Sequence, residues 1–182
     1  VSGSPASDGL EDLAEDGGNT ILDAMLAENS GLVSPFAPGA FGVDDEPIFL
    51  EGSPASNALE ALAEDGDPSG FMNVFNTPVG GSGPAPIFPG ESYEFTFEAS
   101  KGDKLSFATM LVQSNDLFVG YKDIDLFPDG GVLDGNITSI LKLWDAYTEV
   151  NEYPGAGNNQ APRQSGPDTG MEESGDVQIV ND

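Results

Sequence analysis

The chain contains neither cysteine nor histidine. Without cysteine it forms no disulfide and has no thiol chemistry, although this absence does not fix the redox compartment. Without histidine it lacks the commonest catalytic base and the usual zinc ligand. Ser-His-Asp, Cys-His and histidine-based metal catalysis are therefore excluded.

Basic residues are scarce as well: five Lys and Arg stand against 32 Asp and Glu, for a formal net charge of −27. Five dispersed cations cannot neutralise a run of phosphates, which excludes nucleic-acid binding and disfavours an anionic membrane surface. Two interpretations of the acidity remain open. The carboxylates can form a solvated surface suited to a salty or extracellular setting, or some of them can bind divalent cations.

Long apolar runs are also missing, and no stretch of about 18 apolar residues exists that would span a membrane. The sequence from Val1 onward lacks the basic region and apolar segment of a signal peptide. We therefore expect that any secretion signal was removed or is not included. The chain nevertheless has 182 residues, 38% of them hydrophobic, which is too apolar for full disorder. Its 24 Gly and 14 Pro predict extensive turns and loops.

A 14-residue motif occurs twice, as GSPASDGLEDLAED at 3–16 and GSPASNALEALAED at 52–65, with 11 identical positions. Each copy predicts a short helix. In the second copy we expect Ser53 to cap the N-terminus, Pro54 to take the first helical position and Gly66 to follow the last turn. The duplication is either a relic, or the extra copy docks where the first cannot, for example on a neighbouring molecule.

The clearest strand pattern begins at Glu91, where apolar and polar residues alternate as far as Ala99. This period of two predicts a strand with one buried face. Turn-forming residues follow at 100–103, and then an apolar run over 104–113. We therefore expect the two segments to form a hairpin.

The rest of the chain alternates loops with short strand candidates. Residues 29–50 and 76–90 are rich in Gly and Pro and predict loops, the first with brief extended pieces. The polar stretch 155–175 is long for a loop, and such loops are usually functional or held by their own side chains. Further strands are expected over 117–121, 123–127, 137–144 and 177–180. This pattern indicates a mainly β fold, an antiparallel β-sandwich with short helices in an N-terminal arm.

Five segments carry a family likeness in the same order along the chain: FAPGAFGV (36–43), EGSPASNALEALAEDGDPS (51–69), VFNTPVG (74–80), LSFATMLVQSNDLFVG (105–120) and ILKLWDAYTEVNEYPGAGNNQAPRQSGPDTG (140–170). Together they resemble the bacterial and archaeal branch of spondin-domain proteins, whose animal relatives are F-spondin and mindin. The resemblance covers about residues 31–182. It implies an eight-stranded antiparallel sandwich like that of calcium- and lipid-binding domains, one bound calcium ion, and adhesion or matrix contact rather than catalysis.

The resemblance sets a spondin-like domain at residues 35–182, behind an N-terminal arm of residues 1–34. The chain departs from the family in three ways. It contains the helical motif twice, whereas the family normally has it once. The first strand that the family has upstream of Phe36 is hard to find. Relatives also usually continue beyond residues 177–180 into a last strand. Missing edge strands leave unpaired N–H and C=O groups, which a strand of another chain can complete.

Three carboxylates are the candidates for the calcium site. Asp116 ends one predicted strand, and Asp145 and Glu149 follow another. If both strands run toward the same end of the sandwich, the three converge, and a divalent cation removes their mutual repulsion. On spacing alone, acids that merely face water are the simpler interpretation, but the resemblance, matched at these three residues, favours calcium. Glu91, at the start of the predicted hairpin, is a weaker candidate at the same end.

Two functional hypotheses follow. The first is a non-enzymatic, secreted, calcium-binding spondin-like module for adhesion or contact with extracellular matrix or surface components. The alternative is a structural subunit of an extracellular filament or surface layer, a homopolymer assembled through the N-terminal arm and incomplete sheet edges. Glycoside hydrolysis by paired carboxylates is disfavoured, because the single Trp144 alternates as a core residue would. Asn136-Ile137-Thr138 matches the N-glycosylation acceptor, a pattern that also occurs by chance.

Overall fold

The computed structural model describes residues 36–44 and 47–180. The chain divides into two units, Val1–Val33 and Ser34–Asp182, and all described residues lie in the second. The arm predicted over residues 1–34, with the first copy of the repeated motif, lies outside the described residues. Within these, no helix is long and apolar enough to cross a membrane.

The second unit is built on one antiparallel sheet, which confirms the predicted mainly β, antiparallel class. The sheet has six strands in the order β2-β1-β3-β4-β5-β6, with every neighbouring pair antiparallel. The strands are β1 (Phe36–Val43), β2 (Val74–Phe75), β3 (Lys104–Leu111), β4 (Leu117–Asp125), β5 (Lys142–Asp145) and β6 (Gln178–Ile179).

Strand β1 lies between β2 and β3, where the sequence predicted only loop with brief extended pieces. Its Pro38 and Gly39 hide the strand pattern, because both residues are depleted in strand interiors. Gly39 is required by packing: a Cβ there would overlap the carbonyl oxygen of Ala108 on β3 and the ring of Phe75 on β2. The glycine that weakens the local signal is what lets three strands approach one another.

The prediction that residues 91–99 and 104–113 pair as a hairpin is wrong. Strand β3 pairs with β1 and β4, whereas residues 91–99 make only an isolated bridge, from Tyr93 to Pro78. The alternation itself is real, since Tyr93, Phe95 and Phe97 are half-buried and the residues between them are exposed. A period of two reports one buried face of an extended segment, not its hydrogen-bonding partner.

The strands predicted at 117–121 and 123–127 are one strand, β4, interrupted by a bulge. Leu105 pairs with Ile124 and Phe107 with Tyr121, so two residues of β4 oppose one of β3. The N–H of Asp123 instead donates to Ser106 Oγ at 3.2 Å. Of the other candidates, 137–144 contains a 3₁₀ turn (Thr138–Ile140) before β5, and 177–180 contains β6.

Both faces of the sheet are covered, but neither by a second sheet of the described strands. One face carries the first core cluster, in which Phe118, Trp144 and Phe49 meet helix α1 (Asn57–Asp65). The other carries a second cluster, where Phe41 stacks on Phe95 with ring centroids 4.4 Å apart. Segments 93–97 and 126–140, including the 3₁₀ turn Pro128–Gly130, supply most of that second cover.

Helix α1 begins three residues later than the sequence predicted. Its N-cap is Ser56, whose hydroxyl accepts the N–H of Leu59 at 3.2 Å, so Ser53 and Pro54 precede the helix. Gly66 follows the last turn in the left-handed conformation, as predicted, and its N–H donates to the final carbonyls. Leu59 and Leu62 are buried in the first cluster, which fixes the helix on the sheet.

Candidate functional site: a buried acidic centre

Five carboxylates from four parts of the chain lie around one end of strands β4 and β5. We call this set the acidic centre; its members are Glu64, Asp116, Asp145, Glu149 and Asp168. The pairing of Leu117 with Asp145 fixes the site, because it puts the start of β4 beside the end of β5. Glu149 lies in the loop after β5, and Asp168 lies in the long loop before β6. Glu64 belongs to helix α1.

Asp116 is fully buried immediately before β4. Its Oδ2 accepts the backbone N–H groups of Thr148 at 2.8 Å and Glu149 at 3.1 Å. Its Oδ1 is buried and has no hydrogen-bond partner in the described part of the chain. Burial, and then the nearby charge of Asp145, raise the pKa of Asp116 to about 6. A buried carboxylate with an unused oxygen is costly unless a proton or a cation satisfies it.

Asp145 is the last residue of β5, and its carboxylate accepts hydrogen bonds from the turn that follows. Its Oδ1 accepts the N–H of Tyr147 at 2.8 Å, and its Oδ2 accepts the side-chain amide of Asn151 at 2.5 Å. Tyr147 has a left-handed φ of 54°, which is strained for a bulky residue. Gly175 packs against its ring so closely that a Cβ at Gly175 would overlap the Tyr147 side chain. The strained turn places Thr148 and Glu149 over Asp116.

Glu149 is buried and is held from two sides. Its Oε2 accepts the side-chain amide of Asn115 at 3.0 Å, and its Oε1 accepts the N–H of Gly170 at 2.7 Å. A Cβ at Gly170 would overlap the Glu149 carboxylate, so only glycine fits there. An isolated antiparallel bridge from Glu149 to Glu172 ties the two loops together.

Glu64 and Asp168 complete the centre, and sequence reasoning missed both. Carboxylate oxygens of Glu64, Glu149 and Asp168 all lie within 4.8 Å of one another. These three residues form an acidic cluster that can hold a metal ion. Glu64 is only 3% exposed and Glu149 is buried, whereas Asp168 is exposed at the rim of the cluster. Burial raises the pKa of Glu64 to about 7, a hydrogen bond from Thr148 acts against this, and Glu149 raises it further.

No cation of the described chain balances this charge. In residues 36–44 and 47–180 the only ion pair joins Lys122 to Glu51, at 3.7 Å. Arg163, in the long loop, donates instead to the carbonyl of Gly157 and to the side chains of Gln113 and Gln160. The centre is therefore negative and depends on protons or a ligand for neutralisation.

The long loop is held by its own side chains. Gln160 is fully buried and donates to the carbonyl of Tyr153 at 2.9 Å. Glu152 accepts both the backbone N–H and the side-chain amide of Asn159, at 2.9 and 3.0 Å. Its own N–H donates to Asn115 at 3.0 Å, which anchors the loop beside Asp116. Hydrogen bonds therefore hold the predicted long polar loop in place beside the acidic centre.

The three acids predicted from the sequence lie in one region, with different roles. Glu149 belongs to the cluster with Glu64 and Asp168, while Asp116 and Asp145 lie beside it, linked through the Thr148–Glu149 backbone. The weaker candidate, Glu91, is exposed and accepts the N–H of Phe88 at 2.7 Å, in a loop outside this cluster.

A faint signal for Glu64 existed in the sequence. It directly follows the buried Leu62 and Ala63 of α1, so it borders the apolar stripe. Asp168 carries no such signal beyond its place in a long loop. Its φ of 52° is left-handed, and the next residue, Thr169, has a buried hydroxyl without a partner in the described chain.

No protein-family model matches the chain, and no curated protein matches it. The resemblance to spondin domains therefore stays a prediction from the residues.

Proposed function

We propose that this protein is a non-enzymatic, extracellular, calcium-binding module of the spondin type that serves adhesion or matrix contact. One observation carries the calcium part: the acidic centre combines a buried, unpartnered Asp116 oxygen with a three-carboxylate cluster around Glu149. The extracellular and adhesive part rests on the sequence resemblance and on the net charge of −27.

The spacing of the cluster suits calcium. Two oxygens that each bind a calcium ion at about 2.4 Å lie at most about 4.8 Å apart. The oxygens of Glu64, Glu149 and Asp168 meet that limit. Magnesium binds oxygen at about 2.1 Å in a strict octahedron and usually keeps several of its waters. Calcium accepts six to eight oxygens in flexible geometry, so backbone carbonyls and water can complete its shell around these three carboxylates.

The energetics support a cation as well. The carboxylates of Asp116 and Glu149 are positioned by backbone N–H groups, so little ordering is left to do when an ion binds. Burial and mutual repulsion destabilise the charged forms of Asp116 and Glu64. A divalent cation would offset that cost and join α1 to the loops after β5 and before β6.

Calorimetric titration of the chelator-treated protein with calcium, and separately with magnesium, tests the proposal. Glu149→Gln should weaken calcium binding by more than about tenfold, because it removes the negative charge of a carboxylate in the cluster with Glu64 and Asp168. Glu172→Gln is the matched control, since Glu172 is exposed and pairs with Glu149 only through its backbone. Equal calcium affinity of the two variants would contradict the site, and tighter magnesium binding would contradict the choice of ion.

The alternative, a subunit of an extracellular filament, is supported by the open sheet. Its outer strands β2 and β6 have two residues each, and a strand of a neighbouring chain can extend either edge. Electron microscopy of native material tests it: monodisperse particles alone would argue against assembly. Deletion of residues 1–18 should abolish assembly and leave the domain folded.

A further inference from the structure

The exposed connection from β4 to β5 contains a feature that calcium binding does not use. Asn136-Ile137-Thr138 is the only Asn-X-Ser/Thr sequence in the chain in which X is not proline. Asn136 and Thr138 are both exposed, whereas Ile137 is half-buried against the second core cluster. The two residues that a glycosyl-transferring enzyme reads are thus on the surface, and the middle one anchors the segment.

The local geometry leaves the reactive atom of Asn136 available. Its Oδ1 accepts the N–H of Thr138 at 2.8 Å, so the amide oxygen is held against the backbone. The nitrogen, Nδ2, takes no part in that bond. Gly135, the preceding residue, has a left-handed φ of 93°, and the N–H of Leu133 donates to the carbonyl of Leu126 at 2.8 Å.

This segment lies at the end of the sheet opposite the acidic centre. Leu117 pairs with Asp145 at the acidic end, while Gly120 pairs with Lys142 farther along the two antiparallel strands. The connection between β4 and β5 therefore leaves from the far end. A large group on Asn136 would neither cover the carboxylates nor displace a core side chain.

We propose that Asn136 is a site of N-linked glycosylation. The donor is a glycan carried on a lipid diphosphate. Asn136 Nδ2 forms a bond to the anomeric carbon of the glycan, the bond from that carbon to the diphosphate oxygen breaks, and the amide proton passes to a base of the transferase. The inference rests on the extracellular location in the proposed function, because such modification accompanies secretion.

Mass spectrometry of the full-length chain, secreted from a eukaryotic host, tests the assignment. The wild type and Thr138→Ser should carry a glycan on the peptide that contains residue 136, because serine also serves at the third position. Asn136→Gln and Thr138→Ala should lose it. Asn158→Gln, an exposed asparagine outside any such sequence, should keep it. An unmodified Asn136 in the secreted wild type would overturn the proposal.

Calcium titration of the same wild-type and Asn136→Gln samples separates the two proposals. Equal calcium binding is expected in both, because Asn136 and the acidic centre lie at opposite ends of the sheet. A glycan with no calcium binding would overturn only the calcium centre. Calcium binding that is lost in Asn136→Gln would contradict the placement of the glycan away from that centre.

Discussion

Asp116→Asn separates the cost of a buried charge from the benefit of a bound cation. The substitution is nearly isosteric, and the amide oxygen can still accept the N–H groups of Thr148 and Glu149. The new NH₂ group replaces the unpartnered Oδ1, next to the charge of Asp145. The variant therefore removes one negative charge and keeps the backbone contacts.

The magnitude follows from the raised pKa of Asp116, about 6 against an ordinary 3.8. The folded protein holds this proton more tightly than the unfolded chain, so metal-free stability falls as pH rises from about 4 to about 6. Above that range the charged Asp116 costs about 3 kcal/mol relative to the unfolded chain. Asp116→Asn should recover about 1–3 kcal/mol at pH 8 in chelator, or a melting temperature higher by about 2–10 °C.

Calcium should reverse the order of the two proteins. Calcium at about 1,000 times the dissociation constant stabilises the wild type by about 4.1 kcal/mol, and the variant should gain much less. Thermal unfolding followed by circular dichroism, with chelator or calcium at pH 4, 6 and 8, measures both effects. Asp134→Asn, at an exposed acid in the β4–β5 connection, should change neither.

The same destabilisation of Asp116→Asn in chelator and in calcium would refute the reasoning. It would mean that Asp116 acts only as a hydrogen-bond acceptor for the Thr148 and Glu149 backbone. In that case neither the buried charge nor a cation would decide its contribution to stability.

Three further substitutions test other parts of the structure. Glu64→Gln should stabilise the metal-free protein by about 1–3 kcal/mol at pH 8, because burial raises the Glu64 pKa to about 7. Urea unfolding should also show that the free energy of unfolding of the variant depends less on pH between about 4.5 and 7. Gly170→Ala should destabilise the fold by about 1–3 kcal/mol and weaken calcium binding, since its methyl group would overlap the Glu149 carboxylate; Gly166→Ala, with open space around it, should do neither in the same melts and titrations. Ser56→Ala should cost about 1 kcal/mol in thermal unfolding through loss of the helix cap, and an equal loss in Ser53→Ala would contradict the observed start of α1.

Some of the architecture could be predicted from local pattern. Alternating apolar residues and frequent turns indicate antiparallel β structure. The period of two correctly marks Tyr93, Phe95 and Phe97 as the half-buried side chains of 91–99, although Ala99 is exposed. Gly66 marks the end of α1, because only residues that tolerate a left-handed φ fit there. These features depend on a few neighbouring residues, so a single sequence contains them.

Strand pairing and the composition of the acidic centre required the tertiary structure. Strand β1 contains Pro38 and Gly39, and only its contacts with β2 and β3 explain why it is a strand. The cluster of Glu64 with Glu149 joins a helix to a loop far along the chain, and no local spacing encodes that approach. By itself, the sequence determined the acidity, the absence of histidine and cysteine, and the mainly β class. The structure decided which acids lie close together and which of them are buried, because burial and charge repulsion depend on distances between segments that only folding brings together.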